Sequence, residues 1–163
     1  MALPDNVDPA SIRLRPFIRA DDPEVSSWFP DAGALRFFAG RRLSWPLNDE
    51  QWDDIRSDPA ITAWTAVIGD DPTPVGHGEM VKESVQLVRF ARLAVAPPLR
   101  GRQLGREVMR YLIQKARDSG YSRAHLFVHP DNVSAIRGYR SLGFEPADPP
   151  GTPGNLRMEL VIA

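Results

Sequence analysis

The segment Ala91–Arg106, which reads ARLAVAPPLRGRQLGR, joins an apolar strand to a helix through a proline stop and a basic loop. The first turn of a helix has backbone N–H groups without a partner inside the helix, and the helix dipole adds positive charge there. Gly101 and Gly105 carry no Cβ, so the backbone can approach a ligand closely. Arg100, Arg102 and Arg106 add positive charge around the same loop. The segment therefore predicts a pocket for phosphate groups.

Apolar residues recur at helical spacing directly after this loop, which predicts a helix over 103–119. Alternating apolar residues then predict a strand over 124–128. Asp131 or Asn132 is expected to cap a further helix that ends at Gly143. A final strand is expected over 156–162.

The same local signals predict the strands and helices that precede the loop. A strand is expected over 11–19. Asp21-Asp22-Pro23, Asp31 and either Asn48 or Asp49 mark the starts of three helices before residue 60. β-rich segments at 61–68, 75–81 and 85–95 predict three consecutive strands. The whole pattern predicts a mixed α/β fold with one central sheet flanked by helices.

The amino-acid composition excludes several classes of function. The chain has 163 residues, of which 42% are hydrophobic and 25% charged, and its net charge is −1. These values fit one soluble domain over 1–163, and they give no overall attraction to nucleic acid or membrane. The absence of cysteine excludes disulfides, thiolate metal sites and a cysteine nucleophile. Residues 1–10, which we expect to form a flexible segment, have no apolar signal-peptide core. We therefore expect a cytoplasmic protein without nucleic-acid or membrane partners.

The histidines do not predict a metal site. His77, His125 and His129 have no carboxylate at ligand spacing with them, so no metal is expected.

The ordered set of motifs resembles the GNAT superfamily of N-acetyltransferases, most clearly from Arg89 to Phe144. Leu93–Pro97 resembles the fourth strand of that family. Arg100–Gly105 resembles its pyrophosphate loop, R/Q-x-x-G-x-G/A, and Asn132–Phe144 resembles its N-x-x-A-x-x-x-Y-x-x-x-G-F segment. Gln103 departs from the loop motif, which has glycine there, and its Cβ is expected to hold the loop slightly farther from the phosphates.

The resemblance implies a GNAT fold with a splay between the fourth and fifth strands, and acetyl-CoA as co-substrate. Backbone amides of the loop would bind the pyrophosphate, and the fourth strand would pair with the pantetheine arm. The residues expected to bind acetyl-CoA are Leu93, Ala94, Val95, Arg100, Gly101, Arg102, Gln103, Leu104, Gly105, Arg106, Asn132 and Tyr139.

Acetyl transfer to a primary amine requires a polarised thioester carbonyl and a proton for the departing thiolate. The resemblance implies a backbone N–H near Val95 as the oxyanion donor. It also implies Tyr139 as the general acid that protonates the sulfur. The acceptor is expected to be a small-molecule or peptide amine, and a homodimer is one oligomeric state that the family suggests.

The general base is left open by the sequence. Arg89 and Phe127 stand at the positions where family members often have glutamate, and neither side chain accepts a proton. The remaining candidates are Glu79, which would act through water, and the two histidines His77 and His129.

Two other functions compete with acetyl transfer. The missing glutamate and Gln103 are also compatible with a catalytically silent CoA-binding sensor or regulatory module. An unrelated nucleotide-binding domain is disfavoured because the loop matches neither G-x-G-x-x-G nor G-x-x-x-x-G-K-[ST]. In the family the first helices wall the acceptor site. One or two members of a mostly buried aromatic set are therefore expected to line it: Trp28, Phe29, Phe37, Phe38 and Trp45.

Overall fold

A seven-stranded sheet organises the protein, for which we use a computed structural model that describes residues 8–39, 42–101, 103–151 and 154–162. The strands are β1 Ile12–Pro16, β2 Ile61–Ile68, β3 Gly76–Lys82, β4 Leu87–Val95, β5 Arg123–Val128, β6 Glu145–Ala147 and β7 Leu156–Val161. Their spatial order is β1-β2-β3-β4-β5-β7-β6. Neighbouring strands are antiparallel except β4 and β5, which run parallel.

In the described ranges, five α-helices cover the two faces of the sheet: α1 Asp22–Ser27, α2 Ala32–Ala39, α3 Asp49–Ser57, α4 Leu104–Asp118 and α5 Val133–Ser141. Buried residues of α4 form one core with the sheet, and α5 packs against that core. Buried residues of α1, α2 and α3 form a second core on the other face. None of the helices in the described ranges has the length and apolar character needed to cross a membrane.

The parallel pair β4–β5 separates partway along its length. Pairing runs from Leu87 opposite Arg123 to Phe90 opposite Leu126, and β4 then continues to Val95 without a β5 partner. The splay expected between the fourth and fifth strands is therefore present.

A β-bulge in β4 lies where the two strands part. On its other edge β4 pairs with β3, where His77 is opposite Ala94 and Glu79 is opposite Ala91. Gly78 alone therefore faces two β4 residues, one of which, Arg92, has a φ of 48°. An extra residue of this kind bends a strand and redirects its side chains.

Most elements agree with the sequence-based prediction. The predicted mixed α/β architecture is confirmed, and β2 has the predicted bounds. Asn48 and Asn132, rather than the aspartates beside them, are the helix caps whose side chains accept a backbone hydrogen bond. The three-residue strand β6 was not expected, because so short a strand has no periodicity to detect. Of the N-terminal segment 1–10, residues 1–7 lie outside the described ranges.

Two glycines give a matched test of the packing between helices and sheet. A Cβ on Gly138, inside α5, would lie 3.9 Å from Arg106 Cβ, which is ordinary contact. We expect Gly138→Ala to raise the free energy of unfolding by up to about 1 kcal/mol, because alanine favours helix. A Cβ on Gly76 would lie 3.1 Å from Ala66 Cβ and 3.2 Å from Val108 Cγ2. Gly76→Ala should therefore lower that free energy by about 1–3 kcal/mol.

Urea unfolding followed by tryptophan fluorescence measures both changes. A loss of stability in Gly138→Ala would contradict the packing described for α5.

Candidate active site

A crevice of about 500 Å³ lies where β4 and β5 separate. Residues of β4 and β5 form its walls, α2 borders it from one face of the sheet, and α4 and α5 border it from the other. The described residues that line it are Gly33, Arg36, Phe37, Phe38, Ala39, Arg89, Phe90, Ala91, Arg92, Leu93, Met109, Leu126, Phe127, Val128, His129, Asn132, Tyr139 and Asn155. The crevice therefore connects the two faces of the sheet.

The loop that follows β4 presents the N-terminus of α4. Gly101 and Gln103 both adopt left-handed backbone conformations, with φ of 79° and 61°. Gln103 is the N-cap residue and makes no side-chain capping bond. Glu107 N–H donates to Gln103 O at 3.2 Å, so the N–H groups of residues 104–106 precede the first bond of the helix. The positive φ at Gln103 also explains why the family motif has glycine there.

The basic side chains of the loop join neighbouring elements. Arg100 Nε donates to Val95 O at 3.1 Å, and its Nη2 donates to Trp28 O at 3.4 Å. Arg106 Nε donates to Ser141 Oγ at 2.8 Å. Arg102 lies outside the described residues. Two of the three arginines therefore hold β4 to α1 and α4 to α5.

The splayed edge of β4 carries an available backbone donor. Ala96 N–H donates to Val75 O on the β3 side. Successive N–H groups of a strand point to opposite edges, so Val95 N–H points toward the side that β5 has left. The Val95 carbonyl on that edge accepts the hydrogen bond from Arg100 Nε. The side chains of Ala94 and Leu104 are buried, which leaves only their backbone groups for a ligand.

Two residues of the α5 segment face the crevice. Asn132 Oδ1 accepts from Ala135 N–H at 3.4 Å, which leaves its amide nitrogen as a donor. Tyr139 lies edge-on to Phe144, with ring centroids 5.9 Å apart. Burial raises the pKa of Tyr139 to about 12, so the phenol keeps its proton at neutral pH.

Glu79 is part of a buried charge cluster. Its side chain is 0% exposed, and Arg92 Nη2 lies 2.6 Å from its Oε1. His77 Nε2 lies 2.8 Å from its Oε2. Burial alone would raise the pKa of Glu79, but the hydrogen bonds and positive charge of His77 and Arg92 outweigh it and hold the pKa below its usual value. A carboxylate with both oxygens engaged and a lowered pKa is a poor proton acceptor.

His77 faces an aromatic enclosure. Its Nδ1 is buried and has no hydrogen-bond partner, and Phe17, Phe38 and Trp52 pack around the ring. Phe38 also lines the crevice, whereas His77 does not. His77 therefore orients Glu79 and is separated from the crevice by an aromatic ring.

His129 lines the crevice, but one of its nitrogens is engaged. Asp131 N–H donates to His129 Nδ1 at 3.1 Å, which places the proton of the neutral ring on Nε2. The ring also packs on Phe37, with centroids 4.8 Å apart. In this tautomer His129 offers a crevice ligand a hydrogen-bond donor rather than a base.

The aromatic set divides between the core and the crevice. Trp28 and Phe29 are buried in the second core, and Trp45 Nε1 donates to Phe29 O at 3.3 Å. Phe37 and Phe38 line the crevice.

The sequence analysis did not predict that Arg92 contacts Glu79, although the spacing of arginines in β4 indicates it. Arg89 and Arg92 are three residues apart in an otherwise apolar strand. Strict alternation would place them on opposite faces of β4. Only an extra residue in the strand brings Arg92 to the face of Glu79, so this spacing indicates the bulge.

A parallel pair of strands that parts beside the N-terminus of a helix, with a tyrosine in the gap, defines an acetyltransferase-like fold. The sequence pattern of the Acetyltransferase (GNAT) family matches residues 26–144. The chain belongs to this family.

Known proteins agree with this assignment. Mycothiol acetyltransferase from Nocardia farcinica is 30% identical over 166 residues, and the match covers 89% of this chain. The enzyme of the same name from Rhodococcus jostii is 31% identical over 158 residues, which cover 88% of this chain. The matches cover 49% and 48% of those proteins, so this chain spans about half the length of these curated relatives.

Solved structures share the fold at low sequence identity. Spermidine N-acetyltransferase from Vibrio cholerae, in complex with CoA and spermine, gives a TM-score of 0.77 at 13% identity, covering 93% of this chain and 96% of that one. An aminoglycoside acetyltransferase in complex with coenzyme A gives 0.75 at 20% identity, covering 93% and 95%. The GNAT fold expected from the sequence is therefore confirmed.

We expect Glu79→Gln to lower the free energy of unfolding at pH 7 by about 3–5 kcal/mol, because it leaves Arg92 buried without a counter-charge. The pKa of Glu79 is lowered on folding, so its contribution is present above the usual value of 4.5 and is lost as the pH falls below it. The wild type should therefore lose stability more steeply than the variant as the pH falls below 4.5.

Urea unfolding across this pH range measures the difference. Glu83→Gln is the control, because the partly exposed pair of Glu83 with Arg89 should contribute at most about 1 kcal/mol. A gap between wild type and Glu79→Gln that stays constant with pH would contradict the prediction.

Proposed function

We propose that this protein transfers the acetyl group of acetyl-CoA to the amine of an acceptor, with residues 1–163 as one acetyltransferase domain. The main support for the proposal is the path of β4 through the structure. The strand leads from the N-terminus of α4, near Val95, to the crevice that Ala91–Leu93 and Tyr139 line. Family membership and the CoA-bound structural neighbours support the same donor.

The chain offers acetyl-CoA a polar track. The free N–H groups at the start of α4 would receive the diphosphate, because they and the helix dipole favour an anion. The unpaired edge of β4 would pair with the amides of the pantetheine arm, as a peptide adds to an open sheet edge. Leu93 would contact that arm from the crevice wall, and Asn132 would donate to it through its side-chain amide.

The reaction forms one C–N bond and breaks one C–S bond. The neutral amine attacks the thioester carbonyl, and Val95 N–H stabilises the negative charge that develops on the carbonyl oxygen. As the C–S bond breaks, Tyr139 donates its proton to the thiolate. Burial raises the pKa of the phenol to about 12, so Tyr139 keeps its proton until the thiolate forms. The attacking nitrogen, which becomes positively charged as the C–N bond forms, loses a proton to water, and solvent returns a proton to the phenolate.

Deprotonation of the acceptor is assigned to water. The lone pairs of Glu79 and of His129 Nδ1 are engaged, and Phe38 separates His77 from the crevice. Amines with a pKa near 8, of which a useful fraction is neutral at pH 7, are therefore the preferred acceptors.

The diphosphate site is tested with Gly105→Asp. An acidic residue in the first turn stabilises a helix, and the position has room, since a Cβ would lie 3.6 Å from Val95 Cγ2. We expect stability to be unchanged or higher, whereas the Kd of acetyl-CoA should rise at least about tenfold through repulsion of the phosphates.

Isothermal titration measures both proteins, with Gly105→Asn as the uncharged control. Failure of the wild type to bind acetyl-CoA at hundreds of micromolar would refute the proposed function.

Tyr139→Phe separates catalysis from binding. Loss of the proton donor should reduce kcat by about 10²–10⁴-fold and leave the Kd of acetyl-CoA within about twofold. Wild-type protein that binds acetyl-CoA but acetylates no amine would instead support the CoA-binding sensor or regulatory module.

A further inference from the structure

We propose that the acceptor is an amine that also carries an anionic group, a carboxylate or a phosphate, and that Arg36 binds this group. The inference rests on the proposed acetyl transfer and specifies its second substrate. Two observations carry it: the charges that line the crevice and the position of Arg36 on α2.

The charged side chains that line the crevice are all basic. Among the described lining residues, Arg36, Arg89 and Arg92 are arginines, and none is aspartate or glutamate. Arg89 and Arg92 form ion pairs with Glu83 and Glu79, which are not among the lining residues.

Arg36 is the exception to this pairing. Within the ranges 8–39, 42–101, 103–151 and 154–162, no carboxylate lies within ion-pair distance of its exposed side chain. The crevice wall therefore carries one uncompensated positive charge.

The position of Arg36 in the fold indicates that its charge faces the acceptor rather than acetyl-CoA. Arg36 lies on α2 next to Phe37 and Phe38, on the face of the sheet opposite α4 and α5. The groups proposed to hold acetyl-CoA, the start of α4 and Asn132 at the α5 cap, belong to the other face. An acceptor that enters from the α2 side meets Arg36 and the two phenylalanines first.

The uncompensated charge of Arg36 repels polycations, whose other ammonium groups would find no carboxylate on the described wall. An anion placed on Arg36 offsets that repulsion for the acceptor as a whole.

The experiment compares matched acceptors that differ in the anion. O-phosphoethanolamine is paired with ethanolamine and β-alanine with propylamine, and spermidine serves as the polycation. Release of the CoA thiol is followed with a thiol reagent, which gives no protein background because the chain has no cysteine. Because the fraction of neutral amine at the assay pH differs between the acceptors, kcat/KM is calculated on the concentration of neutral amine. We expect this value to be at least tenfold higher for one anionic amine than for its neutral partner, and lowest for spermidine. The pair with the larger ratio identifies carboxylate or phosphate as the preferred group.

Variants test whether Arg36 makes the distinction. Arg36→Gln should bring the ratio within each pair to within about threefold, and Arg36→Glu should raise kcat/KM for spermidine above that for the anionic amines. Arg117→Gln, which removes an exposed arginine near the end of α4, should leave every ratio unchanged.

The outcomes separate the two proposals. Faster acetylation of spermidine or of the neutral amines by the wild type, or ratios that survive Arg36→Gln, would overturn the inference and leave acetyl transfer intact. Binding of acetyl-CoA without acetylation of any of these amines would overturn the inference, whereas failure to bind acetyl-CoA would overturn both proposals.

Discussion

The site depends on the buried ion pair between Arg92 and Glu79. Arg92 has a left-handed backbone at the bulge, a conformation that costs a non-glycine residue of order 1–3 kcal/mol and persists only where the surroundings impose it. Glu79, fixed in turn by His77, supplies that constraint through contacts as short as 2.6 Å. The pair anchors β4 to β3 at the place where β4 leaves β5. The open edge inside the sheet is therefore maintained by a charge interaction across the neighbouring strand.

Where β4 and β5 separate, the two faces of the sheet present different groups to the gap. On one face α4 presents unpaired N–H groups, and α5 places Tyr139 and Asn132 at the gap. On the other face α2 places an arginine and two phenylalanines at the same gap. The gap is thus open to ligands from both faces of the sheet.

Most of the described arginines of the site have a partner on a neighbouring element. Arg92 and Arg89 have carboxylate partners, while Arg100 and Arg106 donate to carbonyl and hydroxyl oxygens of neighbouring elements. Positive potential therefore remains where no partner is supplied, at the first turn of α4 and at Arg36. These are the positions proposed for the diphosphate and for the anion of the acceptor.

The sequence by itself determined most elements of the fold and the loop between β4 and α4, because helix periodicity, caps and turn glycines act over a few residues. It also placed Tyr139 on the helix that borders the crevice. Tertiary structure alone decided what Glu79 and His129 can do. Ion pairing with Arg92, 13 residues away, removes Glu79 as a free carboxylate, and a backbone N–H engages His129 Nδ1. Burial and hydrogen-bond partners set the proton affinity of a side chain, and neither is encoded at the position of the residue itself.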